Sequence, residues 1–140
     1  MKNILSILVA IVGLSGCGSG QNSAVQSVAT PHAKDVVEVL YFHGKQRCKT
    51  CNAIETLTKE VVENHFADQL KKGEIIFQII DISTPQGEKM ADQYEVTWSS
   101  LILDRGGETV NLTKMGFSYA KGQPALFKAK LTESITQILQ

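Results

Sequence analysis

The chain has 140 residues, 43% of them hydrophobic and 20% charged, with 14 basic and 14 acidic side chains and 3 cysteines. That length fits one domain, and that apolar content excludes wholesale disorder. A net charge of zero with no Lys/Arg run gives no electrostatic reason for nucleic acid as a partner, and three cysteines are too few for a small disulfide scaffold.

Lys2 gives the chain a positive start, and Ile4 to Leu14 is almost wholly apolar. The run is too short for a bilayer, which needs roughly 20 residues, but fits the apolar core of a secretory signal. It leads into Leu14-Ser15-Gly16-Cys17. Small residues before a cysteine, directly after such a run, resemble the bacterial lipoprotein box. That resemblance implies a signal peptide over residues 1–16, cleavage before Cys17 and lipid on Cys17. It places the protein outside the cytoplasm, anchored to a bacterial membrane. Gly18 follows the cysteine where an Asp is absent, which in a Gram-negative cell favours the outer membrane, facing the periplasm. The alternative is a plain signal peptide that ends near a cysteine.

From Gly18 to Asp35 the chain is small and polar with no aromatic residue, as a flexible tether is. Its root-mean-square reach is about 25 Å. Residues 36–140 then carry the fold.

Val36 to Phe42 is β-branched, aromatic and almost continuously apolar, which predicts a strand buried on both faces. His43 to Arg47 reads as a polar turn. From Cys48 the period changes: Ile54, Leu57, Val61, Phe66 and Leu70 recur at near-helical spacing, with Glu55, Lys59, Glu63 and Asp68 on the other face. Gly73 ends that long helix. Glu74 to Ile80 predicts a second apolar strand, with Asp81 at its end. Pro85 opens a short helix to about Gln93. Ser100 to Leu103 predicts a third strand, Gly106-Gly107 a hairpin turn, and Glu108 to Leu112 a half-exposed fourth strand. Pro124 to Gln140 reads as a last amphipathic helix whose apolar stripe is core. The order β-α-β-α-β-β-α predicts an α/β fold, a central mixed sheet with helices on both faces. Both strand-helix-strand connections are expected to make parallel pairs.

Cys48-Lys49-Thr50-Cys51 falls where the first strand gives way to the first helix. A helix N-terminus presents unpaired N–H groups and about half a positive charge, and both stabilise a thiolate. Lys45, Arg47 and Lys49 add positive charge, with Arg47 and Lys49 flanking Cys48; the same charges could instead be a solvated surface. Cys48 can then attack a disulfide and Cys51 can resolve the mixed disulfide. Two other readings use the same sulfurs. They could hold a soft ion such as Cu(I), zinc or arsenite, or form an inert pair in an interaction module. A structural zinc site wants four ligands, and His32, His43 and His65 lack metal-ligand spacing. His43 reads as a turn residue and His65 as part of the exposed helix face.

These features together resemble the thioredoxin superfamily. YFHGKQRCKTC is similar to its strand-to-active-site segment. Gln78-Ile79-Ile80-Asp81, Pro85 and Tyr94-Glu95-Val96 are similar to its next strand and helix. Ser100-Leu101-Ile102-Leu103 with Gly106-Gly107-Glu108 is similar to the terminal hairpin, and Gly116 to the glycine before the last helix. The resemblance implies a thioredoxin-like fold and thiol–disulfide oxidoreductase activity on protein disulfides, with Cys48 as nucleophile and Cys51 as resolving thiol. No organic cofactor is implied, and because no soluble NADPH pool serves a compartment outside the cytoplasm, a membrane dithiol carrier is the expected electron donor. The family's proline before the third core strand is replaced by Ser100, after Trp98 and Ser99; these three are expected to line the substrate groove, though Trp98 could equally pack in the core. The family's buried acid falls at Phe42, which leaves no carboxylate to take a proton from Cys51. The family's Trp-Cys-Gly-Pro-Cys signature is also absent, which marks a diverged member.

Overall fold

The computed structural model describes residues 35–140. The signal segment, Cys17, His32 and the tether up to residue 34 lie outside the described residues. In chain order the elements are β1 (Val37–His43), α1 (Lys49–His65), α2 (Ala67–Lys72), β2 (Ile75–Asp81), α3 (Pro85–Gln93), β3 (Ser100–Arg105), β4 (Glu108–Asn111), α4 (Thr113–Tyr119) and α5 (Pro124–Leu139). Among the described residues no helix is long and apolar enough to cross a membrane.

The sheet has the order β2-β1-β3-β4. β1 runs parallel to β2 and antiparallel to β3, and β3 pairs antiparallel with β4. As a central strand, β1 buries both of its faces. Val37, Val39 and Tyr41 enter the larger core with Ile54 and Val61 of α1 and Phe127, Leu131 and Ile135 of α5. Leu40 and Phe42 enter a smaller core with Ile80, Ala91 of α3, Val96 and Ile102. Each fully buried aliphatic or Phe side chain contributes about 1.5–3 kcal/mol. β1 is therefore firmly fixed, and the loop that carries the cysteine pair hangs from its C-terminal end.

Four details depart from the sequence reading. The connection through α3 does not make a parallel pair: β3 crosses to the far side of β1 and enters antiparallel. β2 lies at an edge of the sheet, so Ile76 and Ile79 stay 40% and 45% exposed although the strand is apolar. The long first helix is broken at Phe66, whose backbone (φ −126°, ψ 26°) leaves helical geometry as its ring turns into the core. Gly73, at φ 74°, closes α2 with N–H bonds back to Leu70 and, through Glu74, to Gln69. An unexpected helix, α4, follows β4. Gly116 lies within it, where a Cβ would come 3.1 Å from Cδ1 of Ile54, so the glycine lets α4 approach α1 closely.

Candidate active site

Cys48 is the N-cap of α1, with extended backbone, and its Sγ accepts the N–H of Cys51 at 3.0 Å. A sulfur thus occupies the place where a capping oxygen usually satisfies a free helix N–H. Cys48 and Cys51 are joined in a disulfide across a Cα–Cα distance of 5.0 Å. The two sulfurs differ in access: Cys48 is exposed, whereas Cys51 is 6% exposed. When the bond opens, the N–H that caps Cys48 and the helix dipole both favour a thiolate on the exposed sulfur. Among the described residues no group of three or more His, Cys, Asp and Glu side chains is placed to hold a metal ion.

Behind the pair stands Tyr41. Its hydroxyl donates to the carbonyl oxygen of Cys51 at 2.7 Å. Burial pushes the Tyr41 pKa above the usual tyrosine value, against the nearby Arg47 charge, which pulls it down. Tyr41 is therefore a neutral donor at pH 7. Arg47 folds back over the first turn of α1 and pairs with Glu55, leaving the two side chains 30% and 24% exposed. Lys45 and Lys49 point to solvent. His43 closes β1 with its ring 6.3 Å from that of Tyr41, His65 is exposed at the end of α1, and Asp81 is held below the usual carboxylate range by the hydroxyl and N–H of Ser83.

Ser100 is buried opposite Phe42, and its hydroxyl donates to the Trp98 carbonyl at 3.1 Å. Trp98 does not pack in the core: it is 60% exposed and stacks on Phe117 of α4, ring centroids 5.5 Å apart. Together they wall a cavity of about 530 Å³, with Val96, Ser100, Thr113 and Lys114 among its lining.

No protein-family model matches the chain, and no curated protein matches it in sequence. Solved structures do match. Human ERp44 in its zinc-bound form aligns at 18% identity with a TM-score of 0.52, over 74% of this chain and 27% of that one. Human ERp44 form I gives 17% and 0.53, over 74% and 25%. Trxlp from Edwardsiella tarda EIB202 gives 18% and 0.50, over 73% and 87%. The protein has a thioredoxin-like fold. Its chain spans about a quarter of the length of the ERp44 structures it matches.

Within the thioredoxin fold, two sequence expectations need correction. Phe42 does not look toward the cysteine pair; it lies on the α3 side of the sheet, its ring 5.8 Å from that of Tyr94. The strand position that reaches Cys51 is its neighbour Tyr41, because side chains alternate across a strand. Glu55 does not sit on a free outer face, since Arg47 draws it in. Two signals were available for these residues. Tyr41 shares the odd-numbered face of β1 with Val37 and Val39, and Glu55 is four residues beyond Cys51, hence on the same face of α1.

Proposed function

We propose that the protein is an extracytoplasmic, membrane-anchored thiol–disulfide oxidoreductase acting on protein disulfides. One observation carries the chemistry: an exposed cysteine caps a helix and is disulfide-bonded to a buried cysteine one turn later, in a thioredoxin fold. In the reducing direction the Cys48 thiolate attacks one sulfur of a substrate disulfide, and the other leaves as a thiolate that takes a proton. Cys51 then loses its proton and attacks Cys48 Sγ, expelling the second substrate thiol and restoring the Cys48–Cys51 bond. Two electrons pass from protein to substrate, and a membrane dithiol carrier returns them. Arg47 and Lys49 flank Cys48 and favour its thiolate; Trp98, Ser99 and Ser100 form the wall against which a substrate peptide lies. Lipid on Cys17 supplies the anchor, and no organic cofactor takes part. The zinc form of the soft-ion reading is weaker because the pair offers only two ligands among the described residues.

The test is insulin-disulfide reduction by the detergent-purified full chain with dithiothreitol as electron source. Wild type is expected to accelerate precipitation of the insulin B chain, and Cys48→Ser to lose the effect. Equal rates for wild type and a folded Cys48→Ser protein overturn the proposal. Incorporation of labelled palmitate, lost in Cys17→Ala, checks the anchor separately.

A further inference from the structure

Arg47 and Glu55 form an ion pair next to the cysteine pair. Arg47 directly precedes Cys48, the N-cap of α1, and Tyr41 stands behind the pair with its hydroxyl donating to the Cys51 carbonyl at 2.7 Å. Glu55 shares the α1 face of Cys51 one turn further on. The paired side chains are 30% and 24% exposed and Cys51 is nearly sealed, so their charges act on the buried sulfur from a partly exposed position.

We infer that Glu55 is a positioning residue that holds Arg47 over the first turn of α1 and half-cancels its charge, so that this pair sets the redox equilibrium of Cys48 and Cys51. The inference rests on the disulfide-exchange reading above. Reduction of the pair places negative charge on sulfur; disulfide formation removes it. A cation left without its carboxylate stabilises the reduced, thiolate form. A carboxylate left without its cation destabilises it. Removing either partner therefore moves the equilibrium in opposite directions, whereas an ion pair that served only stability would move both variants alike or leave the equilibrium unchanged.

The measurement is the equilibrium constant of the full chain in glutathione buffers at pH 7. There the reduced protein, with Cys48 as thiolate and Cys51 as thiol, takes up one proton with one glutathione disulfide to give the oxidised protein and two glutathione thiols, two electrons passing to glutathione. Glu55→Gln is expected to shift the constant toward the reduced protein by about threefold or more, and Arg47→Gln toward the disulfide by a similar factor. The double variant is expected to return close to wild type. Arg47→Lys is expected to keep the wild-type direction and serves if Arg47→Gln fails to fold. Single variants that shift the same way, or that both match wild type, overturn the inference. A wild-type protein that does not equilibrate with glutathione at all defeats the exchange reading itself.

Discussion

Thr58 is fully buried on α1, and among the described residues its hydroxyl has no hydrogen-bond partner. A buried hydroxyl without a partner costs about 1–3 kcal/mol, and valine has the same branched shape with a methyl in its place. Thr58→Val is therefore expected to stabilise the protein by about 1 kcal/mol, read as a rise of several degrees in the thermal midpoint; an unchanged or lower midpoint contradicts it. Thr58 lies two turns beyond Cys51 on the same helix, so the variant is expected to leave the redox equilibrium where it was. At this scale the sequence was legible wherever local spacing decides the outcome. Two cysteines three apart at the start of a helix form their pair through local geometry alone. Glu55 was not legible, because a charged residue in a helix reads as outward-facing until a partner elsewhere in the chain, here Arg47, pulls it in. Trp98 was ambiguous for the same reason: its exposure depends on Phe117, nineteen residues away in a helix the sequence did not announce.

Element boundaries followed the residues that dictate backbone conformation. Pro85 starts α3 behind the N-cap Thr84, whose hydroxyl accepts the Gly87 N–H at 3.1 Å. Gly106 and Gly107 turn between β3 and β4 at φ 60° and 97°, and Gly73 ends α2. What failed to show was whatever lacked such punctuation. The cap of α4 is Leu112, whose own side chain makes no hydrogen bond, the Thr113 N–H going instead to Asn111 Oδ1 at 3.0 Å at the end of β4, and the break at Phe66 follows from burying a ring, not from a glycine or proline. Gly87 illustrates a second demand on a glycine, close approach instead of unusual dihedrals. A Cβ there would overlap the carbonyl of Asp81 at the end of β2. Gly87→Ala gains helix propensity but must push α3 off the strand, so the loss dominates. We expect a net destabilisation of about 1–3 kcal/mol by urea unfolding. A variant as stable as wild type would show that the α3 start shifts freely against β2.

Across the whole molecule, the sheet separates two cores of unequal size, and a tyrosine hydroxyl joins helix to sheet on each side. Tyr41 reaches from β1 to the first turn of α1. Tyr94, the C-cap of α3, donates to Asp104 Oδ2 at 2.7 Å, with Glu38 Oε2 3.4 Å away across the paired positions of β1 and β3. Burial, followed by the hydrogen bond and charge of Asp104 and then the Glu38 carboxylate, drives the Tyr94 pKa far above the ordinary tyrosine value; burial raises that of Tyr41 as well. In both cases the folded protein holds a proton that the unfolded chain releases near pH 10. Their contribution to stability is thus complete below about pH 10 and declines as pH rises beyond it, because above that point the unfolded state binds fewer protons than the folded one. The urea midpoint of the wild type is expected to stay level from pH 7 to 9 and to fall between pH 10 and 11.5. Lysine ionisation contributes to that fall in every variant, so the discriminating quantity is the slope. Tyr94→Phe is expected to start about 1 kcal/mol lower at pH 8, having lost its bond to Asp104, and then to fall less steeply. Parallel slopes for wild type and Tyr94→Phe would mean that the α3 contact opens before the hydroxyl ionises, and that the smaller core is not locked to the sheet through this residue.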